Sequence, residues 1–144
     1  PENRPVALVH NTYTTKEDIL LAQDKLPELY WCFCPNAHLY IETRLPVFRT
    51  FIEAGARCVV GTDSLASNHQ LSILEELKTI HRYAPLIPLN TLLEWACLNG
   101  ARLLGGADKL GSLEAGKKPG LNLLTPVTPG ARRLKDEVRL VKLL

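Results

Sequence analysis

The chain has 144 residues, 46% of them hydrophobic and 22% charged, with a formal net charge of +2. That supports one folded core and excludes an intrinsically disordered chain. Both charge signs are mixed and no dense Lys/Arg cluster stands beside aromatics, so no nucleic-acid partner is expected. No apolar run nears membrane-spanning length and the first residues do not read as a signal peptide, so no membrane partner and a cytoplasmic location are expected.

In chain order, the apolar run Val6-Ala7-Leu8-Val9 predicts a strand that ends at His10-Asn11-Thr12-Tyr13-Thr14. Thr14 followed three residues on by Glu17 fits a capping box and predicts a helix over 15–23, with Pro27 closing the segment. Tyr30-Trp31-Cys32-Phe33 predicts a second strand, stopped by Cys34-Pro35-Asn36. A polar-aromatic loop is expected through Ala37, His38, Tyr40, Glu42 and Arg44. A helix over 47–54 follows, with Gly55 at C′. Cys58-Val59-Val60 predicts a third strand, broken at Gly61-Thr62-Asp63. After a polar stretch, Leu71, Ile73, Leu74, Leu77 and Ile80 mark an amphipathic helix. Strand and helix alternate three times over short connections, the signature of βαβ units and a parallel sheet.

Beyond Tyr83 the pattern changes. Pro85 and Pro88 break the chain, Asn90-Thr91 caps one long helix running to Leu104, and Gly105-Gly106 ends it. The Gly-punctuated run 109–124 reads as β-structure, and 138–144 as a last strand. This tail is too small for a core of its own.

Four cysteines are present: Cys32, Cys34, Cys58 and Cys97. Cys32 and Cys34 alternate on a strand, so their thiols share a side with backbones about 7 Å apart. That is poor disulfide geometry, and no second pair completes a zinc knuckle. All four are expected as small buried apolar residues.

The residues able to do chemistry follow the three strands. His10, then Asn36 or His38, then Asp63 each stand just past a strand end, and in a parallel sheet those ends lie on one face. Competing readings remain open: His10 as a loop histidine, His38 as surface decoration, Asp63 as a solvated turn or a cap. His69 and His81 read as structural or solvated.

The blocks LVHNTYT, YWCFCPNAHLYI, VVGTDSLASNHQLSILEELKTI, LLEWACLNGARLLG and DKLGSLEAGKKPG resemble the carboxyl-terminal half of a metal-dependent amidohydrolase. The similar branch holds guanine and cytosine deaminases, adenosine-type deaminases and triazine chlorohydrolases. The resemblance implies an α/β fold: the last three βα units, strands six to eight, of a (β/α)8 barrel over residues 1–106, then strands of a small β-sandwich over 107–144. It implies Asp63 as metal ligand and proton carrier, and His10 as the group that contacts substrate and stabilises the developing anion. The resemblance implies Asn36, His38, Ser64 and Ser67 as substrate-binding residues, although the loop after Cys34-Pro35, which often carries Ser-Asn in the family, reads Asn36-Ala37-His38 here. Ser64, Ser67 and Asn68 match the polar turn that positions the Asp. The implied cofactor is a divalent metal, zinc or else iron; the implied partners are a small heterocyclic substrate, the missing amino-terminal barrel half, and further copies of the chain in a homo-oligomer. The implied reaction is hydrolysis of a C–N bond by metal-activated water.

The family's His-x-His and its strand-five His are absent from these residues. The chain lacks methionine and its first strand starts at Val6, so a start in mid-barrel is expected. A non-catalytic α/β scaffold or assembly module is the alternative.

Overall fold

The computed structural model describes residues 4–127 and 134–144. The chain divides into two compact units, one up to Leu71 and one from Ser72.

The first unit is built on three parallel strands, β1 (Val6–Val9), β2 (Leu29–Phe33) and β3 (Cys58–Val60), in the order β1-β2-β3. The register sets Val9 beside Cys32 and Cys32 beside Val59. β2 is central, and Leu29, Tyr30, Trp31 and Phe33 are all buried, as a strand covered on both faces requires. Trp31 meets Phe51 edge-on at 5.3 Å, and Phe33 meets Phe48 at 5.1 Å and Phe51 at 4.9 Å. These offset rings join the sheet to α3 (Phe48–Glu53) through the ring geometry aromatics prefer. α1 (Lys16–Lys25) buries Ile19.

Two local expectations shift here. The cap of α1 is Thr15, not Thr14: Asp18 N–H donates to Thr15 Oγ1 at 3.2 Å and Thr15 N–H donates to Asp18 Oδ2 at 2.9 Å. Aspartate serves the box as glutamate would. The expected loop after Pro35 is instead a helix, α2 (Pro35–Glu42). Pro35 occupies its first turn, where a missing N–H costs nothing and the fixed φ favours helix. Its buried residues are Pro35, Ala37 and His38, too few and too mixed to mark a helix from sequence.

The second unit opens with α4 (Ile73–Tyr83), capped by Ser72, whose Oγ accepts from Glu75 N–H at 3.4 Å. α5 (Leu89–Ala96) and α6 (Leu98–Leu103) follow. The single long helix expected here is broken at Cys97, where φ is −112° and ψ is −73°. α5 also starts earlier than Asn90-Thr91 implied, with Pro88 as its cap residue. Of the β-structure expected over 109–124, only β4 (Asn122–Thr125) forms, pairing antiparallel with β5 (Arg139–Lys142). Gly111 is held at φ +87°, and a Cβ there would lie 2.7 Å from Ala101 Cβ, so that turn excludes a side chain.

Candidate active site

Parallel pairing brings the carboxyl ends of β1, β2 and β3 to one edge. Two bonds extend the ladder past the strands: His10 N–H to Cys32 O and Gly61 N–H to Phe33 O, both 2.9 Å. His10, Cys34 with the first turn of α2, and Asp63 therefore emerge along one edge. Asn36 lies in that first turn and is half-buried.

The backbone along this edge is strained. His10 has φ +75°, Asn11 +64° and Asp63 +56°, and the only other non-glycine residue with positive φ among those described is Thr43, at the C-cap of α2. Left-handed backbone at non-glycine residues persists only where its surroundings impose it, and it clusters at working sites. At His10–Asn11, Asn11 Nδ2 donates to Leu8 O at 2.7 Å and holds the turn.

Asp63 is exposed, and one carboxylate oxygen is fixed: Ser67 Oγ donates to Asp63 Oδ2 at 2.6 Å. Ser67 is buried, as is Asn68, whose Nδ2 donates to Thr62 O at 2.8 Å. Ser64 Oγ accepts from Ala66 N–H at 3.3 Å. Ser64, Ser67 and Asn68 thus tie down the turn that presents the carboxylate.

His38 departs from the surface position expected of it. It is 1% exposed, and neither ring nitrogen has a hydrogen-bond partner among the described residues. Its ring meets that of His10 edge-on, with centroids 5.2 Å apart. Burial first, then the neighbouring His10, push its pKa down to about 4, while Glu42 and Asp63 pull the other way. His38 is therefore a neutral imidazole at pH 7, within the field of Asp63. Sequence reading found the residue but not its burial, because burial comes from the unforeseen helix α2. His69 is exposed and stacks edge-on with Tyr40 at 6.2 Å.

The cysteines also differ from expectation. Cys34 and Cys58 are buried, but Cys32 is half-buried and Cys97 exposed. Gly61, passed over as a break, faces both Cys32 and Cys34.

Among the described residues, no group of three or more His, Cys, Asp or Glu is placed to hold a metal ion. A catalytic zinc takes about three protein ligands. These residues, with Asp63 as one carboxylate, do not fit a complete metal site on their own. Among them, too, no helix is long and apolar enough to cross a membrane.

A parallel sheet, strained backbone past two of its three strand ends and an anchored aspartate define an α/β chain with its polar groups at the carboxyl edge. A family model, the amidohydrolase family, matches residues 2–140, and the chain belongs to that family. It is 33% identical over 128 residues to the 5-methylthioadenosine/S-adenosylhomocysteine deaminase of Moorella thermoacetica, covering 83% of this chain and 29% of the relative. It is 31% identical over 124 residues to the same deaminase of Desulforudis audaxviator, covering 81% of this chain and 28% of the relative. Among solved structures it is similar to an adenosine deaminase from Xanthomonas campestris with bound zinc: 29% identity, TM-score 0.69, 79% of this chain and 27% of that one. The guanine deaminase of E. coli, at 20% identity and TM-score 0.70 over 85% of this chain and 29% of that one, shares the fold alone. The chain spans under a third of the length of the relatives it matches.

Proposed function

We propose that this chain is the carboxyl-terminal portion of a metal-dependent amidohydrolase that deaminates a nucleobase-like heterocycle. In this reading β1, β2 and β3 are barrel strands six to eight, residues 1–106 belong to the barrel, and 107–144 to a small β-sandwich. The observation that carries it is Asp63: a carboxylate just past the third strand, on left-handed backbone, with one oxygen fixed by Ser67. The names of the relatives, deaminases of 5-methylthioadenosine and S-adenosylhomocysteine, favour an adenosine-like substrate.

Hydrolytic deamination adds water at an sp² carbon and releases ammonia, so a proton must pass from the water to the departing nitrogen. Asp63 is the proposed carrier: its carboxylate is exposed, and Ser67 orients it. It is also the one ligand this chain would offer a divalent zinc or iron; the remaining ligands would come from the amino-terminal barrel half. His10 would donate to the negative charge that develops on the substrate. Asn36, His38 and Ser64 would border the substrate. A homo-oligomer in the cytoplasm completes the reading.

The test is the natural gene product that carries these residues, assayed for ammonia release from 5-methylthioadenosine, S-adenosylhomocysteine, adenosine and guanine, with its metal content measured. We expect release that is lost on chelation and restored by zinc or iron. Folded protein with neither metal nor ammonia release would overturn the reading in favour of a non-catalytic scaffold.

A further inference from the structure

Cys32 is the middle residue of the row Val9, Cys32, Val59 across the sheet, and Cys34 is the cap residue of α2 two residues later. Both sulfurs converge on Gly61. A Cβ built on that glycine would lie 3.2 Å from Cys32 Sγ and 3.4 Å from Cys34 Sγ. The pair is thus two sulfurs within reach of one point, over a residue without a side chain. Cys32 is half-buried and Cys34 buried, so the point is sheltered and still open on one side.

We propose that Cys32 and Cys34 form a two-thiolate clamp for a soft monovalent cation of the Cu(I) type, seated against Gly61. Soft thiolates select both Cu(I) and zinc, but two sulfur ligands satisfy Cu(I), whereas a protein-bound zinc takes three or four protein ligands. Binding exchanges two S–H protons for two metal–sulfur bonds, with no change of oxidation state. The ligand set is sulfur only and leaves out Asp63, so the clamp does not depend on the hydrolase reading. The other cysteines do not compete as a pair. The Cys58 thiol donates to Ala56 O at 3.5 Å and is pushed up to about 12 by burial. Cys97 belongs to the other compact unit.

The test is anaerobic titration of the purified chain with Cu(I) in competition with bicinchoninate. Wild type should bind one equivalent. Cys32→Ser and Cys34→Ser should each weaken it by about 10²–10⁴-fold, because the second bond is then no longer intramolecular. Gly61→Ala keeps both thiols but sets a methyl against both sulfurs, and should weaken binding as well; Gly61 lacks positive φ, so its backbone admits alanine. Cys97→Ser should leave it unchanged. Should a serine variant unfold, alkylation of wild type with and without phenylarsine oxide decides. Joint protection of Cys32 and Cys34 with Cys97 still reacting supports the clamp. Alkylation of both despite the arsenical overturns it, as would wild-type Cu(I) affinity in either folded serine variant, or failure of wild type to compete at all.

Discussion

The two compact units treat buried polar groups in opposite ways. Every buried side-chain nitrogen or oxygen without a protein partner among the described residues lies in the first unit: Thr12 Oγ1, Gln23 Oε1, Trp31 Nε1, both ring nitrogens of His38, and Glu42 Oε2. The second unit buries Glu76, Lys78, Thr79, His81 and Asn99, and all of them are engaged. Lys78 Nζ donates to Glu75 Oε1 at 2.8 Å and to Asp136 O at 2.9 Å. The His81 ring lies between Ile87 O and Leu134 N–H, 2.9 Å from each. Backbone strain divides in the same way. All four described non-glycine residues with positive φ fall before Leu71. An unpaired buried polar group costs about 1–3 kcal/mol, so a fold keeps such groups where they do something besides stabilise it. Among the described residues the first unit holds the open groups and the strain, and the second unit's buried polar side chains are engaged. On the proposed reading, chemistry belongs to the first unit and stability to the second.

The largest effect should come from breaking the first unit's edge. In the natural gene product, Asp63→Asn keeps the volume but removes the charge and the proton acceptor. Deaminase turnover should fall by at least about 10³-fold and metal affinity should weaken. Turnover near that of wild type would remove Asp63 from the chemistry. His10→Ala should lower turnover by about 10²-fold and leave metal content nearly unchanged, because its role is toward substrate. Complete loss of metal on this change would mean that His10, too, binds the ion.

In the second unit the same kind of substitution should read out as stability. Leu134 N–H donates to His81 Nδ1, so Nε2 carries the proton and donates to Ile87 O. His81→Leu keeps the apolar bulk but strands a buried amide and a buried carbonyl. We expect a loss of about 1–3 kcal/mol in urea unfolding, and earlier hydrogen exchange at Leu134. An unchanged midpoint with unchanged exchange at Leu134 would show that the pair of bonds does not hold this unit together.

How much of this was legible in the sequence follows from which forces act locally. The three strands and their alternation with helices could be read because apolar runs bounded by Gly, Pro and Asn are local signals. Their parallel order followed, and with it the shared edge of His10, Asn36 and Asp63. Helix α2 could not be read: its buried residues are a proline, an alanine and a histidine, without an apolar stripe. The burial of His38 was lost with it. The break at Cys97 is equally silent, since 89–103 reads as one apolar helical pattern and the break lies in two backbone angles. Gly61 gave one overlooked signal. A glycine directly after a buried strand marks a place where something approaches closely, and here it is the two thiols.

The smallest expected effect tests whether the open state of His38 is itself a burden on the first unit. Burial, with His10 beside it, holds the ring's pKa at about 4 against an ordinary value of 6.5. Between those two values the unfolded chain binds a proton that the folded chain does not. Stability therefore rises with pH across that window: it is fully present above about 6.5, falls as pH drops, and the loss is complete near 4. Other groups titrate in the same range, so the measurement is a difference. Urea midpoints of wild type and His38→Leu are compared at a series of pH values. Wild type should lose on the order of 1 kcal/mol more than the variant between neutral pH and pH 4, a discounted figure because water reaching the ring would screen it. Two parallel curves would mean that His38 gains a partner in solution, and that the first unit is as well satisfied as the second.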